Sequence, residues 1–313
     1  MKFDRIAIVG AGAVGAYYGG RLAKAGHSVS FYTRSGAAAL RAGGLHVESH
    51  AGDFVLPTVQ AFDNTAAIGY ADLIIVSLKS TAIDSYVDLV RPLVGDNSAI
   101  VCLQNGLGNE EVFAAAFGPQ RVLGAIAFTC INRTSPGHIL HTAHGLLRIG
   151  EFSPSNIDRS ETIAAMFRAA NVPAEAVADL RHHRWEKLVW NIPFNGWGAA
   201  LDLHTEAMLS TPAGETLIRE TMAEVLRAAR AVGIVIQTSL IDSEIRRTHL
   251  MGNYHSSMQL DRQNGQPLEI DAILARPLKL AADAGETNLP RMTTMLRCLS
   301  ALACGNIRLA PPA

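Results

Sequence analysis

The sequence predicts an α/β amino-terminal domain followed by an all-helical carboxy-terminal domain. Three observations carry this expectation: a strand, glycine turn, helix and second strand open the chain, later apolar runs each lead into a helical pattern, and strand texture is lost after Val177. Arg5 to Val9 is apolar and stops at Gly10, Val14 to Ala25 follows a helical pattern ending before Gly26, and Ser28 to Tyr32 reads as the next strand. A βαβ unit at the start implies a parallel sheet with helices on its faces. Leu73 to Leu78 and Ala99 to Leu103 are further buried strands, leading into helices at Ala82 to Val90 and Glu110 to Phe117. From Arg121 the texture alternates. Val122 to Ile131 and His138 to Ile149, joined by Ser135-Pro136-Gly137, predict an antiparallel extension of the sheet. Thr211-Pro212 then makes an N-cap and first-turn pair for a helix whose apolar stripe runs from Leu217 through Met222, Val225 and Ala229 to Gly233. Further helices are expected over Glu269 to Ala284 and Arg291 to Ala303. The change of class near residue 180 divides the chain into 1–180 and 181–313.

At 313 residues, 49% of them hydrophobic, the chain has material for two cores. Lys plus Arg (27) nearly balance Asp plus Glu (28), so no basic field exists to hold a nucleic acid or an anionic membrane, and the expected partner is a small molecule. Apolar runs are far shorter than the roughly 20 residues that cross a bilayer, and no signal-peptide layout opens the chain; a cytoplasmic protein is expected. Cys102, Cys130, Cys298 and Cys304 show no CxxC pairing, which suggests neither a disulfide framework nor a zinc site. His138, His141 and His144 are regularly spaced, but on a strand His141 points away from the other two, so no metal site is expected without a bulge. The long apolar helices of the second domain are candidates for a homodimer interface.

Gly10-Ala11-Gly12-Ala13-Val14-Gly15 is a complete GxGxxG between the first strand and the first helix. Glycines there permit a tight turn and close approach of backbone to a pyrophosphate, whose charge meets the helix N-terminus. The second strand ends Tyr32-Thr33-Arg34-Ser35, with no carboxylate for a ribose 2′-hydroxyl, whereas Arg34 could pair with a 2′-phosphate. NADPH/NADP+ is therefore favoured over NADH; the competing reading of Arg34 is a solvated surface side chain. Lys79 and Asn105 both follow strands, at the carboxyl edge where open α/β sheets bind ligands. The plain alternatives are a solvated loop lysine and a left-handed turn asparagine.

These features join others in a set that resembles the 2-dehydropantoate 2-reductase (ketopantoate reductase) family: Leu78-Lys79, Gln104-Asn105-Gly106-Leu107-Gly108, Pro136-Gly137-His138, Trp185-Glu186-Lys187-Leu188 with Asn191 and Asn195, and Ser256-Ser257-Met258-Gln259 followed by Glu269-Ile270-Asp271. The match spans almost the whole chain. It implies a Rossmann-like first domain, a helical second domain, an active site in the cleft between them, and NADPH-dependent reduction of 2-dehydropantoate to (R)-pantoate on the way to pantothenate and coenzyme A. It further implies that Lys187 is the general acid, that Asn105 lies near nicotinamide and substrate, that Asn191, Asn195, Ser257 and Glu269 hold the substrate, and that Lys79 lies beside the cofactor. Some positions depart from the family pattern. Ser80, Thr81 and Ala82 stand where a Gln usually follows the lysine, Ile273-Leu274-Ala275 replaces an ending in Gly, and Gly285 to Pro290 is a loose version of a Gly-to-Pro turn.

The residues admit this chemistry on their own terms. Hydride addition to a ketone builds negative charge on oxygen, which calls for a proton donor or a cation, and a lysine in a cleft supplies both. Lys187, Asn191 and Asn195 recur every four residues on one helical face, and Pro193 should kink or interrupt that helix. In the alternative, Trp185, Leu188, Val189, Trp190 and Ile192 are the buried side and the polar three face water. A hydroxyl with a carboxylate, Ser257 with Glu269, suits a substrate bearing a carboxylate and a hydroxyl; otherwise Ser257 is a helix N-cap and Glu269 a first-turn acid. His182-His183 beside Arg181 and Arg184 is read as a polar approach to this helix without chemistry. Two rivals to the first reading remain: a related reductase of another 2-oxo acid, and a non-catalytic NADP(H)-binding protein.

Overall fold

The computed structural model describes residues 3–153 and 159–305. Its chain divides into two units, Met1–Gln104 with Asn109–Leu180, and Asn105–Gly108 with Arg181–Ala313. The first unit runs β1 (Arg5–Val9), α1 (Ala13–Lys24), β2 (Ser28–Tyr32), α2 (Ala37–Gly43), β3 (Leu45–Ser49), β4 (Phe54–Leu56), β5 (Gln60–Phe62), β6 (Leu73–Val76), α3 (Ile83–Val90), β7 (Ala99–Cys102), α4 (Asn109–Phe117), β8 (Val122–Ser135), β9 (His138–Glu151), α5 (Arg159–Ala169) and β10 (Ala174–Ala176). All ten strands lie in one sheet, ordered β4-β3-β9-β8-β7-β6-β1-β2-β5, with β10 on β9. From β5 to β8 every pair is parallel. The central strands read IAIV, LIIV and AIVC and are buried throughout, as a parallel sheet covered on both faces requires. The connections leave β1 in opposite directions, to β2 and β5 on one side and through β6 to β8 on the other. Such a reversal opens a crevice at the carboxyl end of the strand, where the glycine turn begins.

The antiparallel extension is present, β8 against β9, and both strands run longer than expected because bulges near Thr129, Ile131 and Ser135 absorb the breaks in alternation. His144 takes a left-handed φ of 65° at one of them. His141 is buried with Nδ1 2.8 Å from the Ser49 hydroxyl, while His138 and His144 are exposed. No group of three or more His, Cys, Asp or Glu is arranged to hold a metal among the described residues. Cys102 and Cys130 are buried free thiols and Cys298 is an exposed one, whereas the Cys304 side chain lies outside the described residues. The segment from α2 to β5 has no counterpart among the expected elements; within it β4 and β5, of three residues each, are too short to show a period.

The second unit is helical: α6 (Leu180–Leu201, whose first residue belongs to the sheet unit), α7 (Thr205–Leu209), α8 (Pro212–Ala231), α9 (Ser239–His249), α10 (Ser257–Gln263), a π-helical turn (Asp271–Ala275), α11 (Arg276–Asp283) and α12 (Pro290–Gly305). Trp185, Leu188, Val189 and Ile192 of α6 meet Ile218, Met222 and Val225 of α8 and Met292 and Met295 of α12 in one core. Each such buried side chain is worth about 1.5–3 kcal/mol. The Thr211 hydroxyl caps α8 by accepting the Gly214 N–H at 3.1 Å, as the Thr-Pro pair predicts. Pro193 does not interrupt α6, which runs on through fully buried Ile192 and Phe194; packing on both sides outweighs one missing amide donor. The expected helix over Glu269 to Ala284 is present as one run from Ile270 to Asp283, in which the π turn Asp271–Ala275 leads without a break into α11. No helix of the described residues is long and apolar enough to cross a membrane.

Candidate active site

The glycine turn is tied to the end of β2: the amides of Gly10 and Ala11 both donate to the Tyr32 carbonyl, at 3.0 and 2.9 Å. Gly10 has φ +108°, and a side chain there would press on the Leu78 backbone. A methyl on Gly15 would overlap the Ser77 hydroxyl and the Gly10 carbonyl, so this glycine lets α1 lie close to the strand ends. Gly12 is different. Nothing lies within 4 Å of where its Cβ would stand, so the protein's own packing gives no reason for glycine there. The space it leaves adjoins the first turn of α1, which has no side-chain cap and no acidic residue, and whose leading amides of Ala13 and Val14 carry the positive end of the helix dipole. These features fit a pyrophosphate. Arg34 and Lys79 are both exposed, Arg34 just past β2 and Lys79 just past β6.

The second group lies in the helical unit. Lys187 Nζ donates to Asn105 Oδ1 at 2.6 Å. Asn105 reaches it because residues 105–108, three positions after β7 ends, pack with the helices. Asn105 is not left-handed; Gly106 takes that role with φ +83°. Lys187 is half-buried, and burial pushes its pKa down to about 7, with the Arg184 cation next in effect, the Glu269 carboxylate opposing, and Arg247 adding a smaller push downward. An amine so placed gains and loses a proton near neutral pH, which an exposed lysine does not. Asn191 and Asn195 continue the same face of α6, at 4% and 2% exposure, so this face does not look into water. The Asn195 Oδ1 has no hydrogen-bond partner among the described residues. Glu269 is buried just before the helix that starts at Ile270, outside its first turn, where Asp271 sits instead.

Ser257 is placed less favourably. Its side chain is exposed in the first turn of α10, and the N-cap is the buried Ser256, whose hydroxyl accepts the Gln259 N–H at 3.4 Å. Two charges near Lys187 escaped the sequence reading. Arg184, taken as part of a polar approach, is 4% exposed one turn before Lys187, and Arg247 comes from the last turn of α9, ion-paired with Glu244. The spacing of three between Arg184 and Lys187 was the available signal; nothing in sequence points to Arg247. His182 and His183 instead flank Glu186, with Nδ1 of His183 2.5 Å from its carboxylate.

The family model described as ketopantoate reductase PanE/ApbA matches residues 6–154, and that of the PanE/ApbA C terminal matches residues 179–303. A 2-dehydropantoate 2-reductase of Nostoc is 36% identical over 307 residues, covering 96% of each chain. The crystal structure of 2-dehydropantoate 2-reductase from Geobacter metallireducens is similar at a TM-score of 0.92 and 44% identity, covering 95% of this chain and 99% of that one. The ternary structure of D-mandelate dehydrogenase with NADH and anilino(oxo)acetate is similar at a TM-score of 0.89 and 17% identity, covering 96% and 98%; this likeness is one of fold alone.

Proposed function

The chain belongs to the ketopantoate reductase family, and from that premise we propose that it reduces the C2 ketone of 2-dehydropantoate with NADPH, Lys187 giving the proton. The names of the Nostoc and Geobacter proteins support the substrate. The observation that carries the chemistry is the half-buried Lys187 ammonium, held by Asn105 at 2.6 Å with its pKa pushed down to about 7. NADPH, with its pyrophosphate at the glycine turn, would supply the hydride. Lys187 then meets the negative charge growing on the substrate oxygen first as a cation and then as a proton donor. Asn105 accepts one N–H of the ammonium and so directs the others. Asn191 and Asn195 offer buried carboxamides to the substrate, Glu269 accepts from its hydroxyl, and Ser257 donates to its carboxylate. The open space at Gly12 receives the pyrophosphate, and Arg34, with no acid beside it after β2, favours the 2′-phosphate of NADPH. Lys79 supports the cofactor from the end of β6.

A cytoplasmic enzyme agrees with the exposed thiol of Cys298, which reducing surroundings keep free. A homodimer through the helical unit belongs to the same reading and is checked by light scattering. A second reading, a reductase of another 2-oxo acid, is favoured by the residues that depart from the family pattern, Ser80 to Ala82 and Ala275. Steady-state assays with NADPH over a panel of 2-oxo acids separate the two: 2-dehydropantoate is expected to give the highest kcat/KM. A higher value for another acid installs the second reading, and tight NADPH binding without turnover on any acid makes the protein a binding module.

A further inference from the structure

The π turn at Asp271–Ala275 lies two residues after Glu269, and it has a consequence for a carbonyl next to the lysine cluster. In a regular helix the Ala272 carbonyl would accept from the amide of residue 276, but the Arg276 N–H goes back to Asp271 instead. The next donor along a π turn would be residue 277, which is proline and has no N–H. The Ala272 carbonyl is thereby released from its own helix, and it is taken by the Leu107 N–H at 2.9 Å. Gly106 lies flat on the same group: a methyl there would overlap the Ala272 carbonyl. Gly108 lies equally close to the Arg276 guanidinium, which Asp271 Oδ2 holds at 2.7 Å. Two residues before Leu107 stands Asn105, the acceptor for Lys187.

We propose that this turn is a positioning clasp for the proton donor. By withholding the Ala272 carbonyl from its helix, the π turn and Pro277 fix Leu107 and Gly106 and so hold Asn105 against Lys187. Gly106, Ala272 and Pro277 are positioning residues; none of them touches the reacting atoms. The catalytic part of this inference rests on the role assigned to Lys187 above.

Three variants of the full-length protein test it: Gly106→Ala, Gly233→Ala and Pro277→Ala. Gly233 shares the φ of +83° but has nothing within 4 Å of its Cβ position, so Gly233→Ala imposes the same backbone strain away from the clasp. In Gly106→Ala, exchange of the Leu107 amide is expected to quicken, kcat to fall about tenfold or more with the KM for NADPH unchanged, and the Lys187 titration, followed by NMR of labelled lysine, to move to lower pH as the ammonium loses its acceptor. Gly233→Ala should lose thermal stability with all three readouts at wild-type values. Pro277→Ala restores a competing N–H to the helix; it should quicken Leu107 exchange and lower kcat, and it decides the matter if Gly106→Ala does not fold. Wild-type exchange and kcat in Pro277→Ala, or equal losses in Gly233→Ala and Gly106→Ala, would overturn the clasp. Exchange and titration need no turnover, so a wild-type protein inactive on 2-dehydropantoate removes the functional reading while these two measurements still decide the clasp.

Discussion

The glycine turn of the sheet unit and the lysine cluster of the helical unit are built on opposite principles. The turn is contiguous: six successive residues leave β1, bond to the end of β2 and start α1, so its geometry is local. The cluster is gathered from α6, α9, the segment after β7 and Glu269, two residues before a π turn, and no stretch of sequence contains it. A contiguous motif presents backbone, which suits a phosphate that any chain can cradle. A gathered one presents side chains whose charge depends on how they are buried, which suits a proton whose movement must be tuned.

Mutations sharpen the contrast. Lys187→Ala should lower kcat by about three orders of magnitude, the middle of the range that a general acid contributes, and leave the dissociation constant of NADPH unchanged in fluorescence titration. Within the turn, Gly12→Ala should leave the melting temperature near wild type and weaken NADPH about tenfold or more, because only the ligand meets the added methyl. Gly15→Ala should do the reverse first, destabilising the fold by about 1–3 kcal/mol through overlap with Ser77 and Gly10, as read by thermal denaturation. A Gly12→Ala protein that binds NADPH normally would break the assignment of the turn. The smallest effect is expected of Arg34→Ala, a few-fold loss of preference for NADPH over NADH in KM; an unchanged ratio would return Arg34 to the solvated surface.

This division also explains how much could be read beforehand. The strands IAIV, LIIV and AIVC, the glycine hexapeptide, the Thr211 cap and the stripe of α8 are short-range patterns, and each was legible because the residues that interact are neighbours in sequence. Lys187, Asn191 and Asn195 share a face for the same reason. The link from Lys187 to Asn105 crosses 82 residues and had only the family resemblance to suggest it. Arg247 and the π turn were invisible, since a backbone register one residue too wide leaves no mark on hydrophobic period, and Pro277 simply falls inside the helix expected over Glu269 to Ala284. Ser257 shows the limit from the other side: two adjacent serines gave no means to tell the buried cap, Ser256, from the exposed residue beside it.

The proton-donor assignment is tested most directly by the pH dependence of kcat/KM in wild type and Lys187→Ala, in both directions of the reaction. Reduction needs the ammonium form, so its rate should hold below neutrality and fall as pH rises through about 7, while oxidation of the alcohol, which needs the free amine, should rise over the same range. Both limbs should vanish in Lys187→Ala. A wild-type profile that stays flat from about pH 6 to about pH 9, or one whose limbs persist without the lysine, would contradict the assignment.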